Sequence, residues 1–155
     1  MSIQIDIRPG QTWAKLMQGV FKPNYDPMLG EIADSFQQDY IPQQFDSQGA
    51  FSGDFWEENA PMTIDLKKYV LGHDPGILIF SGDMRRSLEG GPGAIRSISD
   101  DALEVGTSIP YALQHQIGDD VPERVIINIP QEMIDRWVRL FGYDMQEQIG
   151  GDWED

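Results

Sequence analysis

Ala94-Ile95-Arg96-Ser97-Ile98-Ser99-Asp100-Asp101-Ala102-Leu103-Glu104-Val105-Gly106-Thr107 is the stretch whose reading decides the fold. Residues 94–99 and 102–107 flank Asp100-Asp101, a pair suited to a turn, and read as the two strands of an antiparallel hairpin. Near the start of the chain, Ile3, Ile5 and Ile7 alternate with Gln4 and Asp6. That period of two predicts a half-buried strand, ended by Arg8-Pro9-Gly10. The β-branched run at 124–129 predicts one more strand.

Outward from the hairpin the pattern turns helical. Trp13, Leu16, Met17, Val20 and Phe21 predict a short helix within 10–23, closed by Lys22-Pro23. Asp26-Pro27 supplies an N-cap acceptor and a proline at the first helical position; Leu29, Ile32, Ala33, Phe36 and Tyr40 then predict an amphipathic helix over 27–40, limited by Pro42. Residues 42–56 read as a long loop pinned to the core by Phe45, Phe51, Phe55 and Trp56. Pro61 opens a helix with Ile64, Leu66, Tyr69, Val70 and Leu71 apolar and Gly72 as its stop. Asp74-Pro75-Gly76 is a turn. Ser81-Gly82-Asp83 starts a short helix through Leu88, buried against the sheet by Phe80 and Met84, and Gly90-Gly91-Pro92-Gly93 breaks the chain. Pro110 to Ile117 is a short helix, capped by Thr107 or Ser108 and closed by Gly118. Pro130 begins the longest helix, with Met133, Ile134, Trp137, Val138 and Phe141 on one face. The sum is an α+β domain over 1–155, several helices packed on a mostly antiparallel sheet. Residues 1–23 form its N-terminal strand or arm and 144–155 an acidic tail loosened by Gly150-Gly151.

Charge narrows the function classes. The chain has 26 acidic and 11 basic residues among 155, a net of −15. Such a surface repels phosphates and anionic membranes. The acidity serves solubility, or it lines a passage through which DNA slides without sticking. With no cysteine, disulfides, thiolate metal sites and cysteine nucleophiles are excluded. No apolar run approaches a membrane span, and Met1-Ser2-Ile3-Gln4 has no signal character.

Candidate chemistry is sparse. His73 and His115 belong to no metal-spaced pair; His73 sits in a turn, and His115 shares a helical face with Tyr111. The acidic pairs Glu57-Glu58, Asp100-Asp101 and Asp119-Asp120 are sequence neighbours and cannot straddle a glycosidic bond. Gly90-Gly91-Pro92-Gly93 lacks the Lys-Ser/Thr of a phosphate-binding loop. No catalytic residue, metal ligand or cofactor site is expected. Lys67, Lys68, Arg85, Arg86 and Arg96 gather five of the eleven bases within 30 positions, a patch fit either for solvent or for the acidic face of a neighbouring copy.

Several segments, taken in order, carry a resemblance. They are Ile41-Pro42-Gln43-Gln44-Phe45 followed by Gly49, Gly53 and Trp56; Pro61-Met62-Thr63-Ile64 with Lys67; and Ile77-Leu78-Ile79-Phe80-Ser81-Gly82-Asp83-Met84-Arg85-Arg86-Ser87-Leu88. After these come Val105-Gly106-Thr107, Tyr111-Ala112-Leu113-Gln114-His115-Gln116-Ile117-Gly118, and Pro122-Glu123-Arg124. Over residues 30–141 this order resembles the phage virion morphogenesis family, the Mu-like tail-completion proteins. Val125-Ile126 stand where the family often has an aromatic or leucine, and the stretch before residue 24 has no counterpart.

The resemblance implies a tail-terminator-like fold and a structural, non-enzymatic role at the head–tail junction. Trp56, Gly82, Arg85, Ser87, Gly106, Tyr111, His115, Gln116, Gly118 and Arg124 are its motif residues, expected to build the fold. The partners it implies are copies of the chain in a ring, tail tube or sheath proteins, and neck or connector proteins. Genomic DNA would pass through the lumen without specific binding, in a virion assembled in the host cytoplasm. A ring of six would carry a formal charge of about −90, to be spread over a wide lumen or offset by partners. The rival expectations are a small virion hydrolase such as a glycosidase, and a DNA-contacting head-completion factor.

Overall fold

The computed structural model describes residues 1–7 and 23–149. The helix expected within 10–23 and the glycine-loosened end of the tail lie outside the described residues. The hairpin is present: β2 (Ala94–Ile98) pairs antiparallel with β3 (Ala102–Thr107), Ile98 opposite Leu103 and Ala94 opposite Thr107. The expected first strand, β1 (Ser2–Asp6), adds antiparallel to the other edge of β3, giving a three-stranded sheet of order β1-β3-β2. Leu103, Val105 and Thr107 of the central strand are fully buried, so one face of β3 supplies the floor of the core. Gly106 lies opposite Ser2, where a Cβ would come within 2.2 Å of the Met1 carbonyl oxygen and 2.5 Å of Ser2 Cα. Only glycine allows β1 to lie this close.

Five helices surround the sheet among the described residues. The first, α1, is one continuous run of three parts: Asp26–Ser35, a wide π turn over Phe36–Tyr40, and Ile41–Asp46. Pro42 was expected to limit it and does not. The Ile41 N–H bonds to the Phe36 carbonyl, five residues back. The widened turn makes room for the proline ring, and Pro42, in the first turn of the final segment, has no N–H to leave unpaired. The predicted loop therefore begins only after Asp46; its Phe45 and Trp56 are buried, Phe51 packs partly on the core, and Phe55 points to solvent. Asp26 is not the N-cap acceptor; Asn24 Oδ1 accepts the Asp26 N–H instead.

The other helices are α2 (Pro61–Leu71), α3 (Asp83–Leu88), α4 (Tyr111–Ile117) and α5 (Gln131–Ile149). Met84 buries α3 against the sheet, whereas Phe80 is about half exposed. Helix α5 lies antiparallel along α1: Trp137 Nε1 and Arg136 bond to Ser35 and Arg136 to Asp39, Phe141 stacks on Tyr25, and Gln148 bonds Asn24. Its buried stripe is Met133 and Trp137, continued by Leu140 and Phe141, with Ile134 and Val138 turned outward. The acidic stretch from Asp144 stays helical to Ile149, where Gln148 ties it to Asn24 and Asp144. Neither Thr107 nor Ser108 caps α4: the Thr107 hydroxyl accepts the Ile109 N–H, and Ser108 Oγ donates to the Gly93 carbonyl.

The strand expected at 124–129 does not join the sheet. No strand pairs with it among the described residues, and side chains take the place of a neighbouring strand. Gln116 Oε1 accepts the Ile126 and Ile127 N–H groups at 2.8 and 2.9 Å, and its Nε2 donates to the Ile127 carbonyl. Tyr40 Oη donates to the Ile126 carbonyl at 2.8 Å and accepts the Asn128 N–H. Gln44 Nε2 and Trp56 Nε1 both donate to the Val125 carbonyl. A backbone that lacks a ladder must satisfy its polar groups this way.

Candidate functional site

Val121, Pro122 and Arg124, where the chain enters the 124–129 segment, form one wall of a cleft of about 460 Å³. Its other walls are the chain between Glu57 and Ala60, the helix α2, the turn leading into α3, and α4. Two cations lie at its base. Lys67 is 4% exposed and is the one buried residue of α2. Its Nζ donates to the Gly76 carbonyl at 2.6 Å and stands 3.9 Å from the Asp74 carboxylate. Burial lowers the Lys67 pKa, Asp74 works against that, and Arg124 adds to it. Arg124 is 6% exposed; Nε donates to the Glu57 carbonyl at 3.0 Å and Nη2 to that of Glu58. Both cations thus bond backbone carbonyls, fastening α2 and the 57–60 chain to the body.

His115 lies on the same wall. Burial, then the charge of Arg124, hold its pKa below the ordinary histidine range, so the ring is neutral at pH 7. Its buried Nδ1 has no hydrogen-bond partner among the described residues. Glu57, Glu58 and Asp83 are the acids at the rim. Asp83 is held below the usual carboxylate range by bonds from Ser81 and Arg86, the wrong direction for a general acid. Among the described residues no three His, Asp, Glu or Cys side chains gather to hold a metal ion.

The other motif residues are spent on structure. Trp56 packs edge-on against Phe45, ring centroids 5.2 Å apart, while bonding Val125. Arg85 binds Asp46 at 2.8 Å and Glu89 at 2.7 Å with its guanidinium over the Phe45 ring. Ser87, fully buried, shares a 2.6 Å hydrogen bond with Thr107, joining α3 to β3. Gly82 and Gly118 take the left-handed backbone conformation at φ 79° and 71°, at the start of α3 and the end of α4. Tyr111 stands partly exposed on the cleft wall.

Four of the five bases of the expected patch are bonded within the chain. Lys67 is in the cleft; Arg85 is paired as above; Arg86 bonds Asp83 and the Ser81 carbonyl; Arg96 bonds Asp34 at 2.6 Å and Gln37 at 2.9 Å, tying β2 to α1. Among the described residues, Lys68 alone of the five is exposed with no ion pair. Sequence reasoning missed the bracket formed by Tyr40 and Gln44. The available signal was their spacing of four residues, which puts both on one face if the helix runs on past Pro42. Among the described residues no helix is long and apolar enough to cross a membrane. The chain matches no protein-family model, no curated protein and no solved structure.

Proposed function

We propose that this chain is a structural subunit of a tailed-phage particle, completing or terminating the tail at the head–tail junction as one member of a ring. The observation that carries the reading is how the motif residues are used. Trp56, Arg85, Ser87, Gln116 and Arg124 each spend their polar atoms holding one element to another. Gly82, Gly106 and Gly118 serve backbone geometry. Side chains spent on shape are what an assembly subunit requires, whereas those of an enzyme should converge on a reacting atom. The α+β fold, with a short sheet and peripheral helices, suits a tail-terminator-like unit whose outer helices meet neighbours.

The partners follow from this reading: copies of the chain, the tail tube or sheath below, and neck or connector proteins above. At a net −15 per copy, the DNA path would be lined by acids that do not retain phosphates. The chain would assemble in the host cytoplasm and remain in the virion. The test is a producing strain from which the chain is deleted. Filled heads and separate tails should accumulate in electron micrographs, and supplying the chain should restore joined particles. Joined, infectious particles made without it would overturn the proposal.

A further inference from the structure

Helix α2 carries its apolar residues on the outside. Its single buried residue is Lys67, while Met62, Leu66, Tyr69 and Val70 are 83%, 52%, 89% and 53% exposed. These four fall at i, i+4, i+7 and i+8, one apolar stripe left facing solvent. Single apolar residues on a surface need no explanation, but four on one face of an 11-residue helix make a continuous patch.

The charges beside the stripe say what fits it. Asp65 and Lys68 are both exposed, and neither side chain makes a hydrogen bond or an ion pair among the described residues. They stand three positions apart and so share one flank of the helix. On a chain of net −15 most surfaces repel their own copy. The outer face of α2 between Met62 and Val70 does not, because its two exposed charges are one acid and one base.

We propose that two copies of the chain pair through α2, antiparallel about a two-fold axis that crosses the helix beside Leu66. The centre of the stripe from Met62 to Val70 is Leu66, and the midpoint of Asp65 and Lys68 falls between Leu66 and Lys67. One axis therefore serves both. It lays the stripe on its own copy and sets Asp65 of each chain towards Lys68 of the other, twice over. The reversed direction also places the positive N-terminal end of each helix beside the negative C-terminal end of its mate. A parallel pairing would put the two charged flanks on opposite sides, and neither charge would find its complement. The contact closes at two copies, so it is not the contact that makes a ring, and the inference goes beyond the reading above without depending on it.

Eleven residues of helix on each side, about 16 Å long, make a small interface, so the dimer forms reversibly and grows with concentration. Sedimentation equilibrium of the full-length chain should show the mass rising to twice that of one chain; a single-chain mass at every concentration would overturn the proposal. Leu66→Glu, at an exposed site, should keep the chain monomeric with an unchanged circular dichroism spectrum, and association as strong as the parent's would overturn it. Asp65→Lys and Lys68→Asp, each alone, set like charges against each other twice and should weaken dimerisation roughly tenfold. The two combined exchange the charges and should recover the parent's affinity. A double variant no stronger than the single ones would overturn the antiparallel pairing, and is the result expected if the stripe receives a different protein or another segment of the same chain.

Discussion

Gln116→Met tests whether side chains hold the 124–129 segment in place of a strand partner. Methionine keeps the length and bulk of glutamine but removes the oxygen that accepts the Ile126 and Ile127 N–H groups and the nitrogen that reaches the Ile127 carbonyl. Ile126 is fully buried, so its N–H would be left without water, a loss of about 1–3 kcal/mol. The half-exposed Ile127 groups can turn to solvent, costing about 0.5–1.5 kcal/mol each. The expected total is about 2–6 kcal/mol, or roughly 4–24 °C in melting temperature for a chain of this size. Urea unfolding followed by circular dichroism measures it, with the exposed Gln114→Met as control. Hydrogen exchange should quicken at Ile126 and Ile127 while the sheet amides stay protected. A variant within about 0.5 kcal/mol of the parent, with those two amides still protected, would refute the bracket.

Gly106→Ala should strip β1 from the sheet, because the new Cβ meets backbone atoms that cannot swing aside; hydrogen exchange would show residues 2–6 unprotected and the β2–β3 hairpin intact, and a protected β1 contradicts it. Burial pushes the Tyr40 pKa up to about 12 despite its bond from Asn128 and also raises that of Tyr25, so an absorbance titration of the five tyrosines should show the buried Tyr40 still protonated after the exposed ones have ionised. Since the folded state then holds a proton that the unfolded chain has released, stability should fall as pH rises from about 10 towards 12. For His115 the sign is opposite. Its folded pKa lies below 6.5, so the unfolded chain binds more protons just under that pH and stability falls on acidification. His115→Gln should lose less stability than the parent as pH falls below 6.5; equal losses would remove His115 as the cause.

The hairpin, β1 and the cores of four helices were legible because local pattern and burial agree there. Ile3, Ile5 and Ile7, or Leu29, Ile32, Ala33 and Phe36, repeat with the period of the structure they form. The failures share a physical origin in non-local partners. Pro42 signals a helix end unless a π turn precedes it, and the sequence carries no marker for that turn. Residues 124–129 have the composition of a strand, yet their partners are Tyr40, Gln44, Trp56 and Gln116, from three separate segments. In α2 periodicity found the helix but not its orientation, because the face that docks is held by Lys67 and its bond to Gly76. The motif containing Gln116 and Arg124 was visible in the sequence; what those side chains touch was not.

The most direct measurement is the position of the chain in a mature particle. Antibody-linked gold against this polypeptide, imaged on intact phage by electron microscopy, should mark a ring at the neck or the head-proximal end of the tail. Infectious particles that carry no label, while the chain is abundant in the same lysate, would contradict a structural role in the virion.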